Sequence, residues 1–132
     1  MNIIKLVKSL DLDKGEYSVF GSALLQMYNL RESHDIDIIV TKNLYNKLKN
    51  SKLWKEKIHI SGNVSLYKDI FEVFKSWKFG DYSPHTKYLI KNSIYLEEIP
   101  FVNIEEVLKW KKIRNSEKDR KDIKLIKSYL NK

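Results

Sequence analysis

An α/β (α+β) domain is predicted by three observations on this chain. Runs of β-branched and aromatic residues with two-residue alternation recur at residues 17–20, 34–40 and 69–74. Segments with helical spacing lie between them, at residues 23–30 and 42–52, and two more close the chain, starting near Asn103 and Glu117. A length of 132 residues matches one domain, and 42% hydrophobic content supplies a core, so residues 1–132 are expected to form a single unit.

The first ten residues alternate lysines with apolar side chains, which makes an amphipathic segment rather than a signal peptide. Tyr17-Ser18-Val19-Phe20 is a short strand that runs into Gly21-Ser22. Ala23, Met27 and Leu30 then share one helix side, so Ser22 stands where a helix begins. A glycine there lets backbone N–H groups approach a phosphate, and a helix start offers unpaired donors to an anion. After a gap of twelve residues come Asp35-Ile36-Asp37-Ile38-Ile39-Val40. The β-branched residues favour a strand, and alternation points Asp35 and Asp37 the same way. Two carboxylates on one face repel each other unless a cation or a proton sits between them. Oxygen-only ligands of this kind suit magnesium or manganese.

Residues 42–52 are expected to be helical with Leu44 and Leu48 inward, and residues 57–60 and 63–67 to be two strands joined around Ser61-Gly62. In residues 69–74 alternation groups Ile70, Glu72 and Phe74, which places Glu72 among residues that otherwise belong to a core. A carboxylate in such a place is costly without a cation, so Glu72 is the candidate third acid. Ile99-Pro100 marks a strand exit, and Asn103 caps a helix whose positive end carries Glu105 and Glu106. The final run turns Ile123, Ile126 and Leu130 inward.

The hydrophobic strand, Gly21-Ser22, short helix and Asp35-Ile36-Asp37, in that order, resemble the signature of the polymerase-beta-type nucleotidyltransferase superfamily. Leu30-Arg31-Glu32-Ser33-His34-Asp35-Ile36-Asp37 is similar to the small bacterial members: lincosamide and aminoglycoside nucleotidyltransferases, and the nucleotidyltransferase components of toxin–antitoxin and abortive-infection systems. Lys111, then Lys118-Asp119 with Asp122, resemble the C-terminal lysines and Lys-Asp-x-x-Asp of those proteins. Ser116 stands where an arginine is expected, with Arg114 two residues earlier, and Glu72 where an aspartate is common.

Spanning roughly residues 17–130, the resemblance implies a nucleotidyltransferase fold: a mixed, largely antiparallel sheet with flanking helices and two C-terminal helices closing a cleft. It implies metal-dependent transfer of a nucleoside monophosphate from a nucleoside triphosphate to an acceptor hydroxyl, with release of pyrophosphate. Asp35, Asp37 and Glu72 are then the catalytic, metal-holding residues, for Mg2+ or Mn2+, and Gly21, Ser22, Lys111, Lys118 and Asp119 bind the nucleotide. A small molecule, a tRNA and a partner protein all stay open as acceptor, and a homodimer is compatible with the pattern. The alternative is a non-catalytic nucleotide- or RNA-binding antitoxin or regulatory module on the same fold.

Composition narrows the classes further. A net charge of +8 attracts nucleotides and nucleic acids, but arginine occurs only at Arg31, Arg114 and Arg120, so forked phosphate readers are few. The absence of cysteine excludes disulfides, thiol catalysis and thiolate zinc sites, and cytoplasm is the expected location. No apolar run is long enough for a membrane span, so no membrane partner is expected. Trp54, Trp77, Tyr82 and Tyr88 are expected in the core or at its rim rather than in a base-stacking wall.

Overall fold

The strands form where β-branched and aromatic residues cluster, and in the computed structural model, which describes residues 1–132, seven of them join in one sheet. Along the chain come α1 (Ile3–Ser9), β1 (Tyr17–Phe20), α2 (Ser22–Met27), β2 (Ile36–Val40), α3 (Lys42–Asn50), β3 (Lys55–Ile58), β4 (Val64–Lys68) and β5 (Phe71–Phe74). The remainder is α4 (Thr86–Lys91), β6 (Ile94–Leu96), β7 (Ile99–Phe101), α5 (Ile104–Arg114) and α6 (Glu117–Leu130). The sheet order is β3-β4-β5-β2-β1-β7-β6. β2 runs parallel to β5 and β1 to β7, and the other neighbours are antiparallel. The fold is therefore α+β with a mixed sheet. No helix is long and apolar enough to cross a membrane.

The central strands are buried on both faces: Ser18, Val19 and Phe20 of β1 and Ile38, Ile39 and Val40 of β2 are inaccessible. Each such aliphatic or aromatic side chain contributes about 1.5–3 kcal/mol of burial. One face carries Phe20, which stacks on Trp77 at 4.4 Å and meets Trp110 of α5 edge-on at 5.3 Å.

Several boundaries differ from those expected. Asp35 precedes β2 instead of lying in it, and Asp69, at φ 55°, belongs to the turn between β4 and β5. The inward residues of β5 are Phe71 and Val73, so the face with Ile70, Glu72 and Phe74 is the half-buried one. Helical layers cover the opposite face, which is why Glu72 escapes the cost of a core carboxylate. α2 stops at Met27, before Asn29 takes a left-handed φ of 58°. Leu130 is exposed, and the inward stripe of α6 is instead Asp119, Asp122, Ile126 and Tyr129, the last stacked on Tyr28 at 4.7 Å. α1, α4 and β6 are additional elements.

That stripe explains how the C-terminal helices dock. Lys111 of α5 is 2% exposed, and its ammonium lies 2.9 Å from Asp122 and 3.6 Å from Asp119. Arg31, in the loop before β2, donates to both Asp122 oxygens (2.6 and 3.0 Å), and Arg114 donates to both Asp119 oxygens (2.7 and 2.6 Å). Ser116 and Asp119 complete a capping box at the head of α6. Burial alone would raise both carboxyl pKa values. The hydrogen bonds from Arg114 and Ser116 to Asp119, and from Arg31 and Lys111 to Asp122, overcome it and hold both below the usual range. Burial also lowers Lys111, against the pull of Asp122.

Removing one partner of such a network leaves buried charge uncompensated, so Asp122→Ala is expected to cost about 3–5 kcal/mol in urea unfolding. Because the folded-state carboxyls lie below their unfolded values, the stabilisation is complete above the ordinary aspartate range and is lost as pH falls from that range down through the lowered folded-state values. Acid titration of Asp122→Asn should accordingly show a shallower loss of stability below about pH 4 than wild type.

Candidate functional site

Parallel pairing of β2 with β5 sets Asp37 directly beside Glu72, and antiparallel pairing sets Phe20 on its other side. The chain leaves Phe20 through Gly21, whose φ of 79° and ψ of −139° fall in a region that only glycine occupies easily. A Cβ at Gly21 would lie 3.8 Å from an Asp37 carboxylate oxygen and 3.9 Å from the Trp110 ring. Backbone and carboxylate thus approach each other closely at this point. Ser22 opens α2, and its hydroxyl is 2.8 Å from that of Ser33, which in turn bonds the Asp35 carbonyl at 2.8 Å. Its role in the fold is to tie the loop carrying Asp35 to the start of α2.

A cleft of about 310 Å³ opens over these groups. Asp35, Asp37 and Glu72 line one side of it, Phe74, Trp77 and Trp110 its aromatic floor, and Arg114 the side facing the acids. His59, Ser61 and Asn63 of the β3–β4 hairpin, with Ser76, Lys78 and Phe79 after β5, form the remaining rim. Asp37 is half-buried, and its carboxyl is pushed up to about 7, first by loss of solvent and then by the charges of Asp35 and Glu72. Arg114 and Lys118 pull the other way. The paired acids behave as repelling groups in search of a proton or a cation.

Glu72 is held differently. Ser65 donates to its Oε2, and His59 Nε2 lies 3.2 Å from the same oxygen and 2.9 Å from the Ser65 hydroxyl. No group of three or more histidine and acidic side chains draws close enough to form a metal cage. Asp35 and Asp37, as hard oxygen donors with excess negative charge, fit a divalent cation. Glu72 is engaged with Ser65 and His59, so it joins such a pair only by turning away from them.

Of the residues expected to bind nucleotide, Gly21 and exposed Lys118 border the acids, and Ser22 and Asp119 act through neighbours. Lys111 is not presented to the cleft: it is enclosed between Asp119 and Asp122. Two cations line the cleft instead: Lys78, and Arg114, which is fixed by Asp119 and stacked 4.0 Å over the Trp110 ring. A signal for the latter existed in the sequence, since Trp110 and Arg114 are four residues apart on one helix face. His59 and Ser65 carried no such signal, because only the hairpin register brings them to Glu72. Among the aromatic residues considered, Trp77 alone lines the cleft, whereas Tyr82 bonds Glu106 and Trp54 packs near Phe71.

Two outcomes follow from this geometry. Asp37 has a folded-state pKa above its unfolded value, so its contribution falls as pH rises from about 4 to about 7. Asp37→Asn should therefore gain stability relative to wild type as pH rises through that window, by up to a few kcal/mol, in metal-free urea titrations at both ends of it. Gly21→Ala must adopt a positive φ beside Asp37 and is expected to lose about 1–3 kcal/mol in the same assay.

Comparison with known proteins returns no matching family model, no matching curated protein and no matching solved structure.

Proposed function

We propose that the cleft transfers a nucleoside monophosphate from a nucleoside triphosphate to an acceptor hydroxyl, with pyrophosphate leaving. The observation that carries this proposal is the pair Asp35 and Asp37 beside the positive-φ Gly21, with Asp37 displaced to a pKa of about 7, Arg114 lining the same cleft and the charge of Lys118 near enough to act on Asp37. Negative groups to hold a cation and positive groups to hold phosphates are both required for this chemistry, and here they share one cleft.

Asp35 and Asp37 would hold Mg2+ or Mn2+, which when bound neutralises triphosphate charge and lowers the pKa of the acceptor hydroxyl. Gly21, lacking a side chain, leaves room for phosphate oxygens next to its backbone. Arg114, locked by Asp119, and exposed Lys118 offset charge on the departing pyrophosphate. Glu72 accepts the proton of the attacking hydroxyl as the new oxygen–phosphorus bond forms and the bond to pyrophosphate breaks. His59 and Ser65 orient that carboxylate.

A non-catalytic nucleotide- or RNA-binding module is favoured by one observation, the engagement of Glu72 with Ser65 and His59. Calorimetry with ATP separates the two. The enzyme requires affinity that depends on magnesium, and pyrophosphate release that Asp37→Ala reduces at least about a hundredfold, the scale of losing a principal electrostatic group. Arg114→Ala should weaken triphosphate binding about tenfold or more, since a charge-assisted contact contributes roughly 1.5–3 kcal/mol. Metal-independent binding without turnover would leave only the module.

A further inference from the structure

A second concave surface lies at the other end of β2 and β5, where the chain leaves both strands. One recess of about 330 Å³ is lined by Thr41, Lys42, Lys75, His85, Thr86 and Lys87, with no hydrophobic residue among them. An adjoining recess of about 260 Å³ shares Thr41 and Lys87 and adds Gly15, Ile90, Lys91 and Tyr95. Together they make a groove with four lysines. None of these lysines forms an ion pair: the pairs in this molecule use Lys47, Lys49, Lys109, Lys111, Arg31, Arg114 and His59 instead. Lys75 lies 5.0 Å over the Tyr45 ring; of the acids nearby, Glu16 accepts from the Thr41 hydroxyl at 2.9 Å, and Glu98 lies in the next recess, which shares Gly15 and Tyr95 with the groove.

We infer that this groove binds the phosphate backbone of a single-stranded nucleic acid. Unpaired cations along a concave surface repel one another and attract a polyanion. The lack of apolar lining in the first recess argues against a membrane surface, which would need side chains to insert. Tyr95, in the lining of the second recess, is 61% exposed. Lysines tracking a backbone beside an exposed aromatic ring, on which a base stacks, are the combination that holds single strands without reading sequence. This binding does not depend on the acids of the cleft, although both surfaces meet the same connection: Lys75 lines the groove, and Ser76 to Phe79 line the cleft.

Fluorescence anisotropy with a labelled oligo-uridylate, in EDTA across a sodium chloride series, tests the inference. Wild type should bind with an affinity that falls steeply with salt. The double variant Lys75→Glu/Lys87→Glu should bind at least about tenfold more weakly and lower the salt slope by about 1.4, the value for two lost phosphate contacts on a single strand. Lys75→Gln/Lys87→Gln should show the same direction with a smaller loss, and Tyr95→Ala should weaken binding several-fold. Lys124→Glu/Lys127→Glu, which makes the same charge change on exposed positions of α6, should stay within about twofold of wild type. Asp37→Asn should bind the oligonucleotide as wild type does, so failure here is distinct from failure of nucleotidyl transfer. Equal losses in the groove and α6 variants, no binding at low salt, or stronger binding to poly-glutamate or anionic vesicles would each overturn the inference.

Discussion

The row of charges Arg31, Asp122, Lys111, Asp119 and Arg114, its three inner members buried and its two arginines partly exposed, is the constraint on which the cleft end of this molecule depends. Three cations alternate with two carboxylates, so each acid is shared between two partners and each inner contact is removed from water. Buried pairs of this kind add little net stability over an apolar core, because desolvation offsets attraction. Their value is geometric. An apolar contact between α5 and α6 tolerates sliding, whereas forked arginine–carboxylate pairs fix register and rotation together. Arg31 extends the lock to the loop before β2, so the segment that delivers Asp35 and Asp37 is referenced to the same two helices that deliver Arg114.

Much of this architecture was legible in the sequence, for specific reasons. β1 and β2 announce themselves because β-branched residues dominate them, and the Gly21 turn because a strand ends abruptly in a residue with no Cβ. The shared orientation of Asp37 and Glu72 required only alternation plus the parallel register that the fold supplies. The inward stripe of α6 was hidden because it begins with two aspartates, which periodicity assigns to solvent. The partners of Lys111 were hidden for the complementary reason: they lie 8 and 11 residues further on, across a helix break. α4 and β6, with 6 and 3 residues, are too short to display a period.

Electrostatic asymmetry runs through the whole molecule. Asp35, Asp37 and Glu72 line the cleft at one end of β2 and β5, while Lys42, Lys75, Lys87 and Lys91 line the recesses at the other end without ion-pair partners. The two ends of these strands therefore present opposite charge, and such a contrast shapes encounter with anions more than it shapes the fold.

The cleft's outer rim belongs to β3 and its hairpin, and β3 is the edge of the sheet, with every residue exposed and Ile60 standing fully in solvent. Only one neighbouring strand supports it. Segments with a single row of backbone hydrogen bonds and little buried apolar surface open at a small fraction of the global unfolding free energy. The wall bearing His59, Ser61 and Asn63 is thus the part of the enclosure that yields first, and the floor of Phe74, Trp77 and Trp110 the part that yields last. Entry and departure of a bulky occupant require no loosening of the core, and the cleft can breathe at its edge while Asp37 and Arg114 keep their places.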